Sequence, residues 1–149
     1  MEYTDYDTRL AAYAVIVDDQ DRVLLALWNE ADEKKWTLPG GGVDFDESVE
    51  DGAVREVREE TGYDALLGRL LGVHSYTIPV SRRLADTDRP MKAVRVVYEA
   101  SVVGGELTRE VDGSTDEARW WPLAEVARLP RVGLVDIGLD LWRAATSAS

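Results

Sequence analysis

The segment from Gly41 to Tyr63, GGVDFDESVEDGAVREVREETGY, constrains this chain more than any other part of it. Its second half has helical spacing. At about 100° per residue, Glu56, Glu59 and Glu60 stand at i, i+3 and i+4 and share one face, while Ala53, Val54 and Val57 define a separate apolar face. Ser48 followed by Asp51 matches a helix-start capping pattern, and Gly62 sits where a left-handed stop is expected. The spacing therefore predicts a helix over roughly residues 48–61. Before it, the extended piece Trp36-Thr37-Leu38-Pro39 runs into Gly40, Gly41 and Gly42, where backbone freedom predicts a tight turn and close approach of a ligand. No Gly-Lys-Ser/Thr follows, so this is not a P-loop.

Three carboxylates on one helix face repel each other unless something lies between them. A bound divalent cation removes the conflict, and carboxylate oxygens select hard ions such as Mg²⁺ or Mn²⁺, which keep several waters and take further ligands from substrate phosphates. The competing reading is a solvated, salt-bridged helix in which Arg55 pairs with Glu59. The glycine-rich approach and the fixed spacing favour the metal site. Arg55 then holds Glu47 or a neighbouring glutamate by a charge-assisted hydrogen bond and fixes the carboxylates in place.

Gly41, Glu47, Arg55, Glu56, Val57, Glu59, Glu60 and Gly62 are spaced as in the Nudix box, and the run resembles that of the Nudix hydrolase family. The one departure is Tyr63, where an aliphatic residue is more usual. The resemblance implies an α/β fold, the Nudix α/β/α sandwich with a central mixed sheet, over a single domain from residue 1 to 149. It also implies a metal-dependent hydrolase that cleaves the pyrophosphate linkage of a nucleoside diphosphate derivative: ADP-ribose, another nucleotide sugar, or a nucleoside triphosphate. Mg²⁺ is the expected cofactor, with Mn²⁺ the other candidate. Its expected ligands are Glu56, Glu59, Glu60, the backbone carbonyl of Gly40, and an extra acid before a late strand. Glu117 is the first candidate for that acid, with Asp116 and Asp112 behind it, and either Glu117 or Glu56 is the base that activates water. Pro79 lies at a spacing that resembles a marker of the family's ADP-ribose pyrophosphatases, although ending a strand explains it equally well. The alternative from another class is a non-catalytic, nucleotide-sensing regulatory module. Such modules usually lose glutamates from the box, which this chain retains.

The rest of the chain frames this site. Its 149 residues, 45% of them hydrophobic, suit one sizeable core. No apolar stretch approaches the roughly 18 to 20 residues that span a bilayer, and the acidic start, Met1 to Asp7, is unlike a signal sequence, so a cytoplasmic location is expected. A net charge of −12 argues against nonspecific nucleic-acid binding through many phosphate contacts but does not exclude an anionic small substrate; the resemblance implies a small-molecule nucleotide as the partner, with no membrane and a homodimer open. With no cysteine, thiolate metal sites and cysteine catalysis are excluded.

Leu10 to Val17 and Val23 to Trp28, separated by a polar turn, predict a hairpin. Leu66 to Pro79 and Ala93 to Val103 predict two further strands, Ala118 to Trp121 a short returning one, and Leu123 to Arg128 and Val135 to Ala145 helices. Trp120 and Trp121 are expected on opposite faces of their strand. The polar loop between the two long strands carries Arg82, Arg83, Arg89 and Lys92, and it is expected to recognise the non-reacting part of the substrate. Arg9 and Arg95 are the other candidate phosphate contacts, and Trp28, Trp36 or Tyr76 offers a face for a base. His74 is expected to be an ordinary hydrogen-bonded strand residue.

Overall fold

The computed structural model describes residues 1–30, 32–108 and 113–148. Its centre is β1 (Asp7–Ile16), whose run of small and branched apolar residues is buried on both faces, as a strand flanked and covered on every side must be. On one edge β1 pairs antiparallel with β4 (Gly40–Gly42), and on the other it runs parallel to β6 (Met91–Gly105) from Asp7↔Met91 to Ile16↔Ala100. The long strand β5 (Tyr63–Ile78) completes a mixed four-stranded sheet of order β4-β1-β6-β5. A second, antiparallel sheet has the order β3-β2-β7, formed by Lys35–Thr37, Arg22–Trp28 and Thr115–Pro122.

The two helices cover opposite faces. Ala12, Ala14, Ile16 and Leu24 point toward α1 (Val49–Thr61), where Ala53 and Val57 meet them. Alternation turns Val15, Val23 and Leu25 the other way, onto Leu134, Val135 and Leu139 of α2 (Gly133–Ser147). The result is the expected α/β/α arrangement around a mixed sheet.

The expected hairpin does not form. Both of its strands exist, but β1 already has β4 and β6 on its two edges, so β2 meets it only at the isolated bridge Val17↔Val23 and starts the second sheet instead. The polar turn is built for that divergence. The Asp18 carboxylate accepts the N–H groups of Gln20 (3.0 Å) and Arg22 (2.9 Å), and Asp21 takes a left-handed conformation at φ 57°.

The helix on the acidic run has the predicted bounds and caps. Ser48 Oγ accepts from the Asp51 N–H at 3.0 Å, and Gly62, at φ 84°, donates its N–H to the Arg58 carbonyl at 2.9 Å. The glycines at 40–42, expected as a tight turn, are instead a short strand laid against β1. Leu123–Arg128 is a 3₁₀ segment between Pro122 and Pro130 rather than an α-helix. Pro79 directly follows the last residue of β5 and precedes a 3₁₀ turn at Val80–Arg82, which accounts for it as a strand terminator. Trp120 and Trp121 do point to opposite faces: Trp120 donates to the Tyr63 hydroxyl at 3.1 Å, and Trp121 packs edge-on against Trp36 at 5.2 Å between ring centroids.

Candidate active site

A cavity of about 480 Å³ opens beside the glycine strand β4, within the range of small-molecule sites. Glu56 and Glu60, one turn apart on α1, both line it. Glu60 is only 3% exposed, and the Gly40 N–H donates to its Oε2 at 3.1 Å, a charge-assisted contact that ties the helix to the strand. Glu56 faces Gly41 so closely that a Cβ there would stand 2.9 Å from its carboxylate. Glycine at 41 thus keeps the space in front of that carboxylate open.

Arg55 holds the outer part of the acidic face. Its guanidinium grips Glu47 at two points, 2.6 and 3.0 Å, donates to the Gly42 carbonyl at 3.0 Å, and reaches Glu56 at 3.1 Å and Glu59 at 3.2 Å. Each of these is an anion or an acceptor, so the Arg55 pKa rises, chiefly through the Glu47 hydrogen bonds. The same bonds, with the Asp44 N–H second, pull Glu47 from an ordinary 4.5 down to about 2. A depressed carboxylate pKa contributes stability above the ordinary value and loses it as pH falls toward the folded one. Glu47→Gln should therefore lower the melting temperature near neutrality, and the gap to the parent should close between pH 4.5 and about 2. Melting curves across that range check this, and a gap independent of pH would contradict it.

Across the glycine strand the cavity is lined by Arg9, Tyr13, Trp28, Tyr76 and Arg95. Arg95 lies over the Tyr76 ring at 4.4 Å from guanidinium carbon to ring centroid, and its Nη2 is 3.3 Å from His74 Nδ1. This cluster follows from register: His74 of β5 pairs with Arg95 of β6, which in turn pairs with Ala11 of β1. His74 has the hydrogen-bonded strand position expected of it.

Other residues singled out in the sequence stand elsewhere. Glu59 is half exposed and sits on Arg55 rather than in the cavity lining, so the shared face splits into an inner pair and an outer member. Among the described residues no group of three or more His, Cys, Asp or Glu is gathered to hold a metal ion. Glu117 pairs with Leu27 in the β2–β7 ladder, beside Leu25↔Arg119, on the sheet face turned away from α1. Its neighbour Asp116 is the extra residue of a bulge between Leu27 and Trp28, and it is bound to Asn29 at 2.6 Å and Lys34 at 2.5 Å. Asp112 lies outside the described residues. Trp36 is 6% exposed and belongs to the core against Trp121.

The polar loop after β5 is not part of the cavity. Arg83, with a side chain only 9% exposed, pairs with Asp7 at 2.8 Å, and Arg89 pairs with the same carboxylate at 2.9 Å. Arg82 lines a separate hollow with Tyr6, Ile78 and Lys92. Sequence reasoning missed Tyr13 of β1, Leu134 of α2, and Glu30, Thr37, Ser114, Thr115 and Val132 from strand ends and connections, which come to the cavity from far apart in the chain. None of them lies in a motif.

The family model described as NUDIX domain matches residues 7–138. Among curated proteins, the chain is 32% identical over 120 residues to an ADP-ribose pyrophosphatase of Methanocaldococcus jannaschii, covering 80% of this chain and 65% of that protein. It is 43% identical over 63 residues to a putative 8-oxo-dGTP diphosphatase of Bacillus subtilis, covering 42% of this chain and 41% of that protein. The matches thus span less than two thirds of the length of either relative. Among solved structures, a NUDIX hydrolase from Nitrosomonas europaea superposes with a TM-score of 0.78 at 24% identity, covering 93% of this chain and 90% of that one, a likeness of fold.

Proposed function

The chain belongs to the NUDIX family, and from that premise we propose that it is a divalent-metal-dependent pyrophosphohydrolase acting as one NUDIX unit on a nucleoside diphosphate derivative. The observation that carries the reading is the pair Glu56 and Glu60, both facing one cavity, with glycine at 41 leaving the space before Glu56 open. That donor set suits a hard cation: two carboxylates on one side, with water and phosphate oxygens to complete the shell. Glu56 and Glu60 would hold the ion, with Glu59 as the outer carboxylate of the same helix face. When bound, the cation supplies charge neutralisation at the anhydride oxygens.

The protein's own groups do the rest. Glu56, in contact with both Arg55 and the cavity, is the base that takes a proton from the attacking water while the phosphorus–oxygen bond of the anhydride breaks. Arg55 is a positioning residue that fixes Glu56, Glu59 and the Gly42 carbonyl relative to each other. Glu117, on the opposite sheet face, is given no part. The names of the two curated relatives support a nucleotide carrying a phosphoric anhydride as substrate.

The test is a panel of ADP-ribose, nucleoside diphosphate sugars and nucleoside triphosphates incubated with the full chain and Mg²⁺, with release of phosphate-containing products measured. Release that stops on chelation is the expected result. Tight nucleotide binding with no product from any member would replace this reading with that of a nucleotide-sensing module.

A further inference from the structure

Every half-buried arginine around α1 and the polar loop is neutralised: Arg55 by Glu47, Glu56 and Glu59, and Arg83 by Asp7. The two arginines in the cavity, Arg9 exposed and Arg95 half-buried, have no such counter-charge. Neither Arg9 nor Arg95 is paired with a carboxylate among the described residues, and the Nε of Arg95 is buried with no hydrogen-bond partner. An unsatisfied buried donor is costly, more so when charged, so it marks a place where a partner is missing. The Arg95 fork is also held ready, over the Tyr76 ring and close to His74.

Their position says which partner. A Cβ on Gly42 would stand 3.8 Å from Arg9 Nη2, whereas one on Gly41 would stand 2.9 Å from the Glu56 carboxylate. Successive residues of a strand project to opposite faces, so the carboxylates lie on one side of the glycine strand and Arg9 on the other, within one cavity. A ligand crossing β4 meets both. We propose that Arg9 and Arg95 form a specificity subsite for a phosphoryl group beyond the anhydride that is cut, so that the preferred substrates carry three linked phosphates rather than a diphosphate capped by a neutral sugar. This rests on the reading of the cavity as a pyrophosphohydrolase site. Guanidinium–phosphate contacts give both arginines a counter-charge, while the hydroxyls of a neutral sugar leave their charge unmatched.

The test separates the subsite from the chemistry. Inorganic tripolyphosphate and pyrophosphate are titrated calorimetrically into the full chain in chelator, where no turnover occurs. The parent should bind tripolyphosphate about tenfold more tightly or better, the scale of one charge-assisted hydrogen bond. Arg9→Gln, at an exposed position, and Arg95→Gln should each remove most of that preference, Arg95→Lys should keep part of it, and Arg82→Gln in the separate hollow should keep all of it. A parent without the preference, or a preference that survives both cavity substitutions, overturns the subsite. With Mg²⁺ present, a parent that turns over nothing yet shows the preference defeats the hydrolase reading and leaves the subsite standing. Equal losses on ADP-ribose and on triphosphates in the Arg9 and Arg95 variants do the reverse.

Discussion

Glu60→Gln is expected to lower turnover by at least about a hundredfold while the protein stays folded, the scale of losing a metal ligand or acid–base group. Glu60 is buried on α1 and accepts the Gly40 N–H through one oxygen. A glutamine can keep that contact through its carbonyl, so the substitution removes the charge while preserving the tie to β4. Metal-free protein should melt no lower than the parent, because Glu56 and Glu60 stand one turn apart and like charges at that spacing repel. Steady-state rates at saturating Mg²⁺, with melting curves in chelator, give both readouts. A parent-like rate would falsify the assignment of this carboxylate.

Gly40→Ala should have the largest effect on stability. Gly40 sits at φ 149°, where side chains are strained, and an added Cβ would overlap the Ala12 carbonyl oxygen and the Tyr13 backbone. Those atoms belong to the central strand, so the neighbour cannot give way as a flexible side chain does. A loss of about 3 kcal/mol or more is expected, or roughly 10 °C in melting temperature for a chain of this size. Thermal unfolding checks it, and a change of only a degree or two would show that the β4–β1 contact is looser than described.

What the sequence displayed and what it hid follow one physical line. The acidic helix was readable to its caps because capping and i, i+4 spacing are local, and Ser48, Gly62, Glu56 and Glu60 stand within a few turns of each other. Strands were readable as segments but not as neighbours. Nothing in Leu10 to Val17 announces that both its edges are taken by β4 and β6, so the hairpin expectation failed. Glu117 was expected in a loop before a strand at Ala118–Trp121, but β7 begins at Thr115, so Glu117 lies within the ladder and its face is set by its pairing with Leu27, which no motif records. The cluster of Arg95, Tyr76 and His74 depends on the register of two long strands, itself shifted by irregularities between Asp64 and Gly72. Arg83 offers a charge in a polar loop, which suggests recognition, and only the fold reveals Asp7 waiting for it.

The parallel pairing of β1 with β6 carries a consequence in time. Asp7 joins Met91 and Ile16 joins Ala100, so the first strand made finds its longest ladder only after most of the chain exists. Contacts so distant in sequence require loop closure before they return any stability, and they slow folding. On a ribosome the whole acidic helix emerges while β1 still lacks that neighbour, and Arg9 waits for Arg95 on the same late strand. Until β6 arrives, the nascent chain carries its carboxylates without the wall that Arg95 adds to their cavity.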